Sequence, residues 1–356
     1  MKFLQTLYGK FLPMAIMFLS LSGCIKENNE DCPVPGRLFL APTFTMHTVK
    51  DASGEYKDLF SETAQRQTVY VFDQSGLFVR KIIENGPFTN GHLTPLDLPQ
   101  GSYRAVVWVN KTDDFELNCV PVAGETSIDE MLLQLGELDN RFITKHFPPL
   151  LYGTTDYFDV EEEATTRTAD KVIPVSLIRN THKIQVIIYW KEKKARTLCE
   201  NPSHVSETRA YILDKNGVLD FENDASQCSW LTYIPKYFSG DALKTFRDET
   251  PEAAIVATEF TVLRLWTDSK TKISIRKKTG TQGETTVYEA ELMSLLKKIK
   301  IFDSQESLDR QENLEVELVF VCGDNDTPDD NDTWVTASIT INDWVVSQMG
   351  DDDTDL

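Results

Sequence analysis

Thr68-Val69-Tyr70-Val71-Phe72-Asp73-Gln74-Ser75-Gly76 is the stretch from which the fold follows. Its residues from Val69 to Phe72 are apolar at odd and even positions alike, as in a strand covered on both faces. Asp73-Gln74-Ser75-Gly76 reads as a turn, because glycine accepts positive φ and aspartate bonds its own backbone. Leu77-Phe78-Val79 and Ile82-Ile83 then return. The same grammar recurs at Ala210-Tyr211-Ile212-Leu213-Asp214-Lys215-Asn216-Gly217-Val218-Leu219, with Asp73 and Asp214 standing 141 positions apart. This repeat suggests a duplicated β-sandwich domain.

Outward from these stretches the chain continues in short β-type runs. Arg37-Leu38-Phe39-Leu40 precedes them, and Gly101-Ser102 opens Tyr103-Arg104-Ala105-Val106-Val107-Trp108-Val109. The second half adds Val172 to Leu177, Lys183 to Trp190, Phe260 to Trp266 and Lys272 to Ile275. Leu314 to Val321 alternates apolar and charged residues, one face in and one out, and Trp334 to Ile341 answers it as a hairpin. Two helices interrupt. Ser127 with Glu130 forms a capping box, followed by Ile128, Met131, Leu132, Leu135 and Leu138 at helical spacing. Ala290 to Ile299 is amphipathic and ends in lysines, which suit a helix C-terminus.

The expected class is mostly β: two tandem β-sandwich domains with short helices. Residues 32–160 form the first domain, 161–170 a polar linker, 171–350 the second domain and 351–356 an acidic tail. A chain of 356 residues is long enough for two domains.

The start has a separate function. Lys2 and Lys10 flank the way into an apolar run, Phe11 to Leu21, which is about half of the ~20 residues a membrane span needs. Residues 1–23 read as a signal peptide. Leu21-Ser22-Gly23-Cys24 looks like a bacterial lipobox, which makes Cys24 the lipidation site; the alternative is an ordinary signal peptide with an incidental cysteine. More than one acyl chain on Cys24 would hold the protein to a membrane stably. Residues 24–31 then form a solvated tether.

The net charge is −20. Without residues 1–23, 34 basic residues face 56 acidic ones, giving −22. Such a surface repels phosphate backbones, so nucleic acid is excluded as a partner. With Cys24 acylated, Cys32, Cys119, Cys199, Cys228 and Cys322 remain. An oxidising compartment permits bridges, and the two halves suggest Cys32 with Cys119 and Cys199 with Cys228, although spacing leaves connectivity open.

No catalytic, cofactor or metal residues emerge. His47, His92, His146, His182 and His204 share no ligand spacing, and no nucleophile elbow or phosphate loop occurs. The acidic run from Asp324 to Asp332 lacks the glycine an EF-hand loop requires and reads as a solvated hairpin tip.

Several motifs in shared order carry a resemblance. Asp31-Cys32-Pro33 follows Cys24, and Val69-Tyr70-Val71-Phe72-Asp73 leads to Gly76. Gly101-Ser102-Tyr103 leads to Val107-Trp108-Val109-Asn110. Leu151-Tyr152-Gly153 and Val175-Ser176-Leu177-Ile178-Arg179-Asn180 come next. The last is Ile339-Thr340-Ile341-Asn342-Asp343-Trp344-Val345-Val346, where a glycine often replaces Asp343. The chain resembles FimB-type fimbrial anchor lipoproteins of Bacteroides and Porphyromonas relatives. The resemblance implies transthyretin-like sandwiches, no enzyme activity, and an outer-membrane lipoprotein exposed at the cell surface. Its role would be at the base of a fimbria, tying the filament to the membrane and limiting its length.

The expected partner is a fimbrial shaft subunit, bound by β-strand addition. Shaft subunits of such fimbriae lose their N-terminal strand to open a groove. An anchor cut in this way would lose Cys24, so its first strand, Arg37 to Leu40, is expected to stay in place. A tip adhesin or other glycan- or host-binding surface lipoprotein is the competing reading. Trp230, Tyr233, Tyr237 and Phe238 are its nearest aromatic cluster.

Overall fold

The computed structural model of the chain describes residues 36–136, 141–161, 169–192, 206–238, 255–279, 283–299, 302–311, 313–322 and 336–348. The signal peptide, Cys24, the tether, Cys32, Cys199, most of the linker, the 324–332 run and the acidic tail lie outside these residues. The described chain is mostly β with a few short helices, as expected.

The first half forms one nine-stranded sheet. Its main path runs Tyr56–Asp58, Leu38–Lys50, Lys171–Arg179, Leu151–Thr154, Gly101–Val109, Arg66–Asp73, Phe78–Asn85. Arg66–Asp73 and Gly101–Val109 are central, and both faces are covered. Val69, Val71, Ala105 and Val107 pack with Phe60, Phe88 and Phe158. On the opposite face Tyr70, Phe72, Val106 and Trp108 join a core built largely from the second half. The doubly apolar Val69 to Phe72 run therefore has a physical cause: each face meets a different core.

The second half stacks a six-stranded sheet against a five-stranded one. Thr181–Glu192 is central in the first of these. It pairs antiparallel with Ile255–Leu263 and parallel with Asn313–Cys322. Ile184, Val186, Ile188 and Trp190 from it meet Ala210, Ile212, Ile273 and Ile275 from the other sheet. The two halves interlock. Leu132–Leu135 pairs with Val218–Asp220, and Phe142–Ile143 pairs with Leu231–Tyr233.

Four sequence expectations change. Lys171–Arg179 belongs to the first sheet, between Leu38–Lys50 and Leu151–Thr154, so the passage between halves falls at Asn180. Gly153 permits that packing: a Cβ there would stand 2.8 Å from Leu177 Cδ2 and 3.0 Å from Ser176 O. Second, the Ser127 capping box exists, with Ser127 Oγ accepting from Asp129 N and Glu130 Oε2 from Ser127 N. It starts only one 3₁₀ turn, Ile128–Glu130. Leu132–Leu135 then forms a strand, because Leu133 and Leu135 alternate into the core and both edges find partners. A run this short gains little from helix cooperativity.

Third, Ala290 and Glu291 end the strand Gly283–Glu291, and the helix is only Leu292–Leu296. Fourth, the repeated turns diverge. Asp73 Oδ1 accepts from Ser75 N and Leu77 N, Gly76 takes φ 76°, and a hairpin results. Asp214 is buried instead, accepting from Lys215 N at 2.7 Å and Thr271 Oγ1 at 2.6 Å. Its return strand, Val218–Asp220, pairs elsewhere.

Candidate docking surface

Two features of the sheets stand out: how firmly the first strand is held, and which sheet edge is open.

The Leu38–Lys50 strand alternates, with Leu40, Phe44 and Met46 buried. Its first part runs parallel to Lys171–Arg179, from Leu38 opposite Lys171 to Phe44 opposite Leu177. On its other side Phe39 and Leu40 meet Pro95 and Thr94, and its later part pairs with Tyr56–Asp58. At the entry point Arg37 N donates to Asp170 Oδ1 at 2.9 Å and Lys171 N to Arg37 O at 2.8 Å. Withdrawing this strand would expose three core side chains, each worth about 1.5–3 kcal/mol.

The halves are joined by a buried polar seam. Asn223 Nδ2 donates to Asn180 Oδ1 at 3.1 Å, and Tyr152 Oη to Phe221 O at 2.9 Å. Arg264 forks onto Asp309, Nε to Oδ1 at 3.0 Å and Nη2 to Oδ2 at 2.7 Å, and also donates to Asn223 O. Beside it His182 is fully buried, with Nδ1 3.2 Å from Gln311 O. Burial, then the neighbouring Arg179 charge, push its pKa down to about 3. It is therefore a neutral structural imidazole.

The open edge lies at the far side of the six-stranded sheet. Asn342 and Asp343 both have positive φ, 46° and 66°, the pattern of a type I′ hairpin turn. Asn342 Oδ1 accepts from Glu315 N at 2.8 Å, tying the turn to the neighbouring strand. Among the described residues, Trp344–Gln348 then pairs with Thr336–Ile341 on one side only. A bulge turns Val346 toward the core and leaves Trp344 58% and Val345 62% exposed.

This edge differs from the others. Native edges are commonly blunted by charge or brevity. Phe78–Asn85 carries Arg80, Lys81 and Glu84, and Gly283–Glu291 carries Glu284, Glu289 and Glu291. Tyr56–Asp58 and Lys236–Phe238 are three residues each and charged. Among described edge strands of three or more residues, only Trp-Val-Val-Ser-Gln has no charge.

The aromatic cluster from the sequence is split. Tyr233 is core, donating to Asn216 Oδ1, while Trp230 and Tyr237 are exposed. Cys119 and Cys228 are partly buried and bridge to no other cysteine among the described residues; their expected partners Cys32 and Cys199 lie outside the described residues. Sequence analysis does not single out this edge strand. The signal was present in its lack of charge after an Asn-Asp turn.

A family model described as fimbrillin-A associated anchor proteins Mfa1 and Mfa2 matches residues 29–349. No curated protein matches the chain. Among solved structures, a candidate polysaccharide-binding protein of Bacteroides thetaiotaomicron VPI-5482 is similar at 20% identity and a TM-score of 0.68, over 90% of this chain and 100% of the other. The fimbrial anchor protein Mfa2 of Porphyromonas gingivalis is similar at 18% identity and 0.65, over 88% and 100%. A candidate adhesin of Bacteroides ovatus is similar at 20% identity and 0.66, over 90% and 99%. At these identities the structural matches establish a shared fold.

Proposed function

Because the chain belongs to the family of fimbrillin-A associated anchor proteins, we propose that it is the base subunit of a surface fimbria. A lipid on Cys24 holds it to the outer membrane. A shaft subunit adds a strand along Trp344–Gln348, where main-chain hydrogen bonds supply affinity and Trp344 and Val345 supply apolar contact.

The observation that carries this reading is the seating of Leu38–Lys50, bonded on both sides and buried through Leu40, Phe44 and Met46. Force arriving through residues 24–37 enters a strand that is part of the fold. Its parallel hydrogen bonds to Lys171–Arg179 share a pull along the strand. A groove already filled by its own strand accepts no donor there, so filament growth stops at this subunit, which limits length.

Replacing Cys24 with serine and separating cells from medium tests the proposal. Fimbriae should appear in the medium. Fimbriae that stay on the cells would contradict it.

A further inference from the structure

Apart from the docking edge, the second half holds a cavity of about 520 Å³, within the roughly 300–1,000 Å³ of small-ligand sites. Three segments converge on it: Asp214 and Lys215, then Asp224 to Trp230, then Trp266 to Lys270. From its lining we infer that it is a binding site for a neutral saccharide.

Two indoles contribute to the walls. Trp230 is 38% exposed, and the ammonium groups of Lys215 and Lys272, 5.2 and 5.8 Å from its ring centre, fix its orientation. Lys272 is itself held by Glu289 at 2.6 Å. Trp266 carries a buried indole N–H with no hydrogen-bond partner among the described residues. The turn bearing Trp266 is rigid: Ser269 N donates to Trp266 O, and Gln305 bonds both Thr267 N and Leu265 O.

The polar groups decide the ligand class. Exposed carboxylates of Asp224 and Asp268 accept, the exposed ammoniums of Lys215 and Lys270 donate, and the Ser269 hydroxyl does both. Asp214 is already bonded twice and serves as framework. A lone anion or cation would meet like charge on part of this wall. A sugar is uncharged, its hydroxyls donate and accept, and its C–H faces suit an indole plane.

The test uses full-length protein in a detergent without sugar headgroups. Cellobiose, maltose, lactose and N,N′-diacetylchitobiose are titrated by calorimetry and tryptophan fluorescence. At least one should bind saturably, one to one. Trp230→Ala and the conservative Asp268→Asn should each weaken it roughly tenfold or more, with Val345→Lys unchanged. No saturable binding by any of the four overturns the inference. So does a smaller loss in either variant, or sialyllactose binding more tightly than every neutral sugar.

Discussion

Arg310 donates a hydrogen bond to the main-chain oxygen of Thr45 at 2.8 Å, across 265 positions of sequence. The same guanidinium reaches Thr45 Oγ1 at 3.0 Å and Ser176 Oγ at 2.9 Å, and His47 N donates to Arg310 O at 3.3 Å. One second-half side chain thus bridges Leu38–Lys50 and Lys171–Arg179, the first strand and its parallel neighbour. The first strand is held by the whole molecule, beyond its immediate neighbours.

Arg310→Ala should lower the unfolding free energy by about 3 kcal/mol, since it deletes several charge-assisted bonds and leaves buried carbonyls unmet. Urea unfolding gives the size. Hydrogen exchange should accelerate first across Leu38–Lys50. Unchanged protection there would contradict a bridging role.

Asp343 occupies the second position of the type I′ turn with φ 66°. Glycine takes that conformation without a Cβ penalty. Asp343→Gly should therefore stabilise the hairpin by about 0.5–1 kcal/mol, read from the urea midpoint. A loss of stability would show that the carboxylate has a role beyond the turn.

Two buried groups give stability opposite pH dependences. His182 has its pKa lowered to about 3 by burial and by Arg179. The unfolded chain binds this proton first, so stability is full above about 6.5 and falls toward pH 3, by up to about 1.4 kcal/mol per unit. Asp214 has its pKa raised to about 6 by burial. The folded state holds this proton longer, so its contribution is full below about 3.8 and is lost as pH rises through 6. The advantage of His182→Asn over the parent should grow from pH 6.5 to 4, and that of Asp214→Asn from pH 4 to 7. A flat difference in either variant would contradict the assigned cause.

Val345→Lys places a charge on the uncharged Trp344–Gln348 edge, the device by which native edges resist pairing. Stability should change by no more than about 0.5 kcal/mol, as for other exposed positions. Filament retention on cells should fall sharply. Full retention in a folded variant would remove the edge from the account.

Much of this was legible in the residues. The doubly apolar Val69 to Phe72 run and the Asp73 turn reported a central strand and a hairpin, because local pattern and tertiary pairing agree there. The Ser127 capping box was also legible, but the helix it promised was overridden by strand partners from Phe115–Leu117 and Val218–Asp220. Membership of Lys171–Arg179 in the first sheet was hidden, because parallel pairing is set by tertiary contacts: Arg37 and Asp170 meet across 133 positions. The second Asp-x-x-Gly turn misled for a related reason. Its aspartate bonds Thr271, far along the chain, which no local pattern encodes. The open edge shows only once neighbouring strands are placed.

Docking of a shaft subunit along Trp344–Gln348 can be tested in place on the cell. The direct measurement is site-specific photocrosslinking in fimbriated cells, with the probe at Val345 or, as a control, at Val120, which is 87% exposed and lies outside the strands. One crosslinked band containing a fimbrial shaft subunit is expected at Val345, and none at Val120. No band at Val345, or equal bands at both positions, would contradict it.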